Sequence, residues 1–184
     1  MPYVLSVIIL VDVGALAYTI GDGLGLATIE ATRHHMLAGV LTTILLVFTH
    51  SLVLFYLIGT GIDIREAVGV DEELSRRYVP LTRRLKRQVF PIACLAALLA
   101  SVAALFGAEV HSRLIVAAGA VDAPLPLRGV SVWWLHLAIV IGAVVTNLWA
   151  FVCELRATWS NRAAIAAINR CFEAAGASPD AVAR

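Results

Sequence analysis

Four apolar stretches, at about 3–20, 35–60, 89–108 and 132–153, each approach or exceed the ~20 residues a helix needs to cross the hydrocarbon of a bilayer. A segment in lipid must satisfy its own backbone hydrogen bonds, which restricts such a chain to helices or a closed barrel, and runs of this length select helices. The composition agrees. With 60% apolar and 15% charged residues and a mean hydropathy of +0.88, there is too little polar surface to clothe a water-soluble domain. The sequence therefore reads as an all-α integral membrane protein: a four-transmembrane-helix bundle with a cytoplasmic C-terminal helix. Residues 1–154 form the membrane domain and 155–184 the cytoplasmic helix and tail.

The net charge of +1 says little, but its distribution is informative. Arg65, Arg76, Arg77, Arg83, Arg84, Lys86 and Arg87 lie between the second and third stretches, and Arg156, Arg162, Arg170 and Arg184 follow the fourth, so eleven of the fourteen basic residues share one side. The positive-inside rule places that side and both termini in the cytoplasm, the expected setting being a bacterial inner (plasma) membrane. Ala15-Leu16-Ala17 has the small residues of a cleavage site, but the segment lacks a basic leader and carries Asp12, so it is read as a retained span. Cys94, Cys153 and Cys171 fall on the cytoplasmic side and offer no disulfide framework. No basic run is interleaved with aromatics, so the expected partners are the lipid bilayer and other membrane subunits, with no nucleic acid.

The connections read simply. Gly21-Asp22-Gly23 to Gly25 predicts a tight outer turn rather than a phosphate loop. In the 61–88 segment, Glu72 with Arg76 and Glu73 with Arg77 have the i,i+4 spacing of an exposed helix, which Pro80 is expected to interrupt before the Arg83 to Arg87 run. That run fixes topology and meets anionic headgroups. Pro91 is expected in the first turn of the third span. Residues 112–130 read as an irregular outer loop, opening with a short interfacial helix over Leu114 to Ala118, and Trp133 and Trp134 mark re-entry into the membrane. Ile165, Ile168 and Phe172 form an apolar stripe that should pack on the protein itself or a partner, and Gly176 is the predicted stop.

Histidines and other ionisable groups inside a membrane are costly and mark functional sites by default. His34, His35, His111 and His136 fall near the outer face, and His50 lies midway down the second span. His35 and His50 are about 22 Å apart along a helix and some 60° apart around it; His136 and Asn147 are about 17 Å apart and nearly in line. Asp12 in span one matches the depth of His50, as does Ser101 in span three. This predicts a middle layer of Asp12, His50 and Asn147, in which Asp12 fixes one imidazole nitrogen and the other serves as proton carrier or ligand. The alternative is a hydrogen-bonded cluster that only locks the bundle.

The outer layer supplies what a haem b between helices requires: two axial imidazoles, small residues beside the macrocycle and cations for the propionates. His35 with His136 is the preferred pair, with His34 and His111 as the other candidates. Gly39 and Gly107 could open space, and Arg33 and Arg113 lie near the surface. The same imidazoles with Glu30, Glu109 or Asp22 would also suit zinc or copper. The plan resembles the four-helix cytochrome b anchors of respiratory enzymes in architecture alone, and no residue role is carried over. Three functions follow: a haem-b electron-transfer or quinone-site subunit of a respiratory or photosynthetic complex, a cofactor-free accessory subunit of a larger membrane complex, or a small proton or metal transporter.

Overall fold

The computed structural model describes residues 1–24, 29–69, 71–116 and 131–176. They form four helices: α1 (Pro2–Leu24), α2 (Ile29–Ala67), α3 (Glu72–Val116) and α4 (Val132–Ala174). Each contains a segment long and apolar enough to cross a membrane. Thr19 meets Thr42 and His35 packs on Gly23, so α1 and α2 are antiparallel. Asn147 reaches Ala96 and His136 packs on Gly107, so α3 and α4 are antiparallel as well. His50 touches Glu154 while Thr60 touches Asn161, which makes α2 and α4 parallel. The result is an up-down-up-down bundle in which α3 packs extensively on both α2 and α4, and α1 rests mainly on α2.

The bundle is apolar outside and partly polar inside. Leu10, Phe55 and Leu105 are each 70% exposed or more, whereas Asp12, Asn147 and Glu154 are fully buried. In α4 the buried residues Ala143, Asn147, Ala150, Glu154, Ala157, Asn161, Ala164 and Ile168 alternate spacings of four and three, a heptad seam carrying alanine at one position and a polar side chain at the other until Ile168 closes it. Ala93, Ala96, Ala100 and Ala103 line the buried face of α3. Small residues on both helices let the backbones approach closely, and the 3.5-residue repeat keeps the seam facing its neighbours.

Several expectations about boundaries are corrected. The last helix is continuous with the fourth span: α4 runs unbroken from Val132 to Ala174, so there is no separate C-terminal helix. Its seam continues past Glu154, and Ile168 packs with Ile64, Val68, Tyr78 and Ala164, joined by Ile165 and Phe172. The predicted stripe thus packs on its own chain. α4 stops where predicted, with Gly176 in the left-handed region (φ 72°) and the Ala175 N–H turned back onto Cys171 and Phe172 carbonyls.

Neither Pro80 nor Pro91 marks a boundary, since both lie inside α3. Both prolines are exposed, while Tyr78, Thr82, Leu85 and Val89 are buried around them, so packing on the other face carries the helix through. The helix starts instead at Asp71, whose carboxylate accepts from the N–H groups of Glu73 (2.9 Å) and Leu74 (3.0 Å). Glu72 pairs with Arg76 as the spacing predicts; Arg77 lies over the Tyr78 ring.

At the opposite end Gly21, Asp22 and Gly23 belong to α1 rather than to a turn, and α3 extends through 114–116 with no separate interfacial helix beginning there. The remainder of that expected helix, the outer loop to 130, and Gly25 lie outside the described residues. Ser131 caps α4 by accepting from the Trp133 N–H, and Trp133 and Trp134 meet edge to face.

With ~1.5 Å of rise per residue, α2, α3 and α4 reach about 60 Å or more, roughly twice the hydrocarbon thickness, whereas α1 reaches only about 35 Å. The excess forms a three-helix extension around Ile64, Val68, Tyr78 and Ile168 at the end carrying most of the arginines.

Candidate functional site

The polar residues of the interior fall into three levels. At the histidine-bearing end are Asp22, His35 and His136. In the centre are Asp12, Thr49, His50, Asn147, Glu154 and Thr158, all buried. Towards the basic end the Asn161 amide donates to Thr60 Oγ1 (2.7 Å).

The central level is organised by His50. Its Nδ1 lies 2.6 Å from Glu154 Oε1 and its Nε2 lies 2.9 Å from Asn147 Oδ1. The Phe151 ring stacks on the imidazole, centroids 5.3 Å apart. The orientation of Asn147 follows from its other contacts: its NH2 group donates to the carbonyls of Ala143 (2.7 Å) and Ala96 (3.3 Å), leaving the amide oxygen to face His50. An amide oxygen only accepts, so Nε2 carries a hydrogen. On the other side Nδ1 faces a carboxyl group, and a single proton must occupy that contact, on the imidazole or on Glu154. His50 is therefore an imidazolium beside a carboxylate, or a neutral ring accepting from a carboxylic acid.

Asp12 was expected to fix the imidazole, and Glu154 takes that role. Asp12 does lie beside Thr49, His50 and Glu154, with the Thr49 hydroxyl close enough to interact with its carboxyl group, but neither of its oxygens reaches full hydrogen-bond geometry with a described residue. Thr49 Oγ1, Thr158 Oγ1 and Glu154 Oε2 are likewise buried and unbonded. Glu154 was missed because it stood at the assumed end of the fourth span. It lies seven residues, two helical turns, beyond Asn147 on the same face, and Asn161 repeats the interval. Ser101 has the expected depth but not the expected direction: it donates to its own helix at Ala97 and lines a side groove with Thr43, Phe48 and Ser51.

At the histidine-bearing end, His35 and His136 come from α2 and α4 and lie within electrostatic range of each other. His136 also approaches the Ala103 backbone. Each ring rests on a glycine of a neighbouring helix: a Cβ on Gly23 would stand 2.7 Å from His35 Cε1, and one on Gly107 3.0 Å from His136 Cε1. Asp22 is 3.9 Å from His35, beyond hydrogen-bond reach. The Nδ1 atoms of His35, His111 and His136 are buried without a hydrogen bond among the described residues.

The other candidates are dispersed. His34 and Arg33 are exposed. Arg113 donates to Glu109 at 2.7 Å, so both are occupied with each other. Gly39 faces Thr19 of α1 and passes its carbonyl to Thr43, away from the two imidazoles. The side chain of Glu30 lies outside the described residues. Among the described residues, no three His, Cys, Asp or Glu side chains are grouped to hold a metal ion.

Searches against protein families, curated proteins and solved structures returned no match.

Proposed function

We propose that this chain is a multi-pass membrane protein that handles protons, with the His50–Glu154–Asp12 level as its exchange centre and the basic end facing the cytoplasm. The reading rests on one observation: His50 Nδ1 and Glu154 Oε1 lie 2.6 Å apart in the middle of the apolar bundle, a contact that requires a proton on one side or the other, with the Asp12 carboxyl group alongside. Two carboxylates and a neutral imidazole would carry two negative charges, which a low-dielectric interior opposes. The set becomes neutral on holding two protons, so a change in its surroundings is answered by taking up or releasing one. Asp12, Thr49, Thr158 and Glu154 Oε2 keep hydrogen-bonding capacity at this level that no described residue takes up. In proteoliposomes with an imposed potential, a trapped pH indicator should report proton movement that Asp12→Asn and Glu154→Gln abolish while leaving the fold intact. Equal flux in both variants, or none in the parent protein with no infrared band from a protonated carboxyl group, would leave the level as packing alone.

A second reading is favoured by the other end. His35 and His136 approach from two different helices with a glycine backbone behind each ring, and two imidazoles from separate helices are what a bis-histidine haem b requires. Such a group would add electron transfer to the proton centre and make the chain a subunit of a redox complex. A reduced-minus-oxidised spectrum of the purified protein tests it: a low-spin b-type band lost in His136→Ala but kept in His111→Ala supports the pair, and a colourless, iron-free sample excludes it.

A further inference from the structure

We infer that a notch between α2 and α3 at the basic end binds one phosphate group, carried by an anionic phospholipid or by a small phosphorylated solute. The notch encloses about 80 Å³ and is lined by Gly61 and Arg65 from α2 and by Thr82, Arg83 and Lys86 from α3. Ile62 and Val79 complete its wall, and the space is of the scale of a small anionic group rather than of a larger ligand. Among the described residues Arg65 of α2 and Arg83 and Lys86 of α3 take part in no ion pair, although elsewhere on α3 Glu72 pairs with Arg76 and Glu109 with Arg113.

Gly61 shapes the site. A Cβ there would stand 3.0 Å from Lys86 Nζ, so the absence of a side chain lets the ammonium group lie against the α2 backbone. Lys86 is half-buried and Thr82 is buried, so the notch has a floor as well as a charged rim. Thr82 donates its hydroxyl hydrogen to the Val79 carbonyl, which holds the side chain in place and leaves the cations as donors. Three cations converging on one small cavity from two helices distinguish this place from the neighbouring Arg84 and Arg87, which line no part of it. Lys and Arg together at a phosphate give charge-assisted hydrogen bonds rather than diffuse attraction. The location follows from the sequence: the span-two end supplies Arg65 one turn beyond Gly61, and the 82–86 turn of α3 lies opposite because the intervening connection is short.

The test uses the full-length protein in detergent, with lipid retention read by native mass spectrometry. One phosphatidylglycerol should bind per chain in preference to phosphatidylcholine. Lys86→Gln and Arg83→Gln should weaken it roughly tenfold each, and Arg84→Gln and Arg87→Gln by less than twofold. Gly61→Ala keeps every charge but displaces the Lys86 ammonium, and should also weaken binding. Arg83 is exposed, so its variant remains informative should a change at Lys86 impair folding. Inorganic phosphate and glycerol phosphate are titrated separately: competition at millimolar concentration, with little lipid retained, identifies a soluble ligand, and lipid retention despite them identifies the headgroup. Equal losses in all four charge variants, or an unaffected Gly61→Ala, would reduce the notch to part of a generally basic membrane edge and overturn the proposal.

Discussion

Nδ1 of His50 and Oε1 of Glu154 stand 2.6 Å apart inside the bundle, joining helices whose contacting residues are 104 positions apart in the chain. Removing either partner leaves the other buried without its hydrogen bond. His50→Ala and Glu154→Ala should each destabilise more than Leu10→Ala on the exposed face. The double variant should cost less than the two singles added, by about 1–3 kcal/mol of coupling. Unfolding of detergent-solubilised protein measures the cycle; strict additivity would mean that the contact contributes nothing.

The Asn147 amide dictates which imidazole nitrogen is protonated. Nitrogen NMR of the labelled protein should show His50 Nε2 carrying a hydrogen, with Nδ1 sharing its proton with Glu154. Asn147→Ala removes the acceptor and should allow the ring to exchange between tautomers, broadening or moving the Nε2 resonance. A His50 found with bare Nε2 in the parent protein would contradict the orientation of the amide.

Glycines divide into two groups by what surrounds them. Nothing lies within 4 Å of a Cβ built on Gly14 or Gly142, whereas one on Gly23 would collide with His35 at 2.7 Å and one on Gly107 would press on His136 at 3.0 Å. Gly14→Ala and Gly142→Ala should be neutral or stabilising by up to about 1 kcal/mol, as expected for a glycine replaced within a helix. Gly23→Ala and Gly107→Ala should lower the melting temperature, because an imidazole ring must give way.

Asp71→Ala should remove the cap of α3 at a cost of about 1 kcal/mol. Hydrogen exchange at the Glu73 and Leu74 amides should accelerate, while exchange around Ala93 stays slow. Uniform acceleration along the helix would show that the cap controls more than its first turn.

The proposed orientation places the basic end in the cytoplasm, so a reporter fused after Arg184 should be active there and silent on the far side. The reverse result would turn the histidine-bearing end inward and remove the basis for placing the chain by its arginines.

The number of helices was legible because hydropathy runs of this length permit few alternatives. His50, Asn147 and Asp12 were legible as one level from helical rise alone. Glu154 was overlooked because a charged residue near the end of an apolar run looks like the edge of the membrane, although its seven-residue spacing from Asn147 pointed inward. The prolines misled for a related reason. Pro80 marks a local preference, and the burial of Tyr78, Thr82 and Leu85 outweighs it. Gly21 and Gly23 read as turn residues when taken singly; only with the His35 ring in place does the second become a contact made possible by a missing side chain.

The alternation of alanine with Asn147, Glu154 and Asn161 along α4 also sets where this chain is free to vary. Enlarging Ala143, Ala150 or Ala157 pushes helices apart, and shrinking them further leaves only glycine, so that side of the helix admits few substitutions. Exposed Val145, Leu148 and Val152 require only oiliness and can be exchanged widely among apolar residues. Across related chains, the outside should therefore drift while the seam stays fixed, the opposite of what is usual for a water-soluble enzyme with a greasy heart and a variable polar coat.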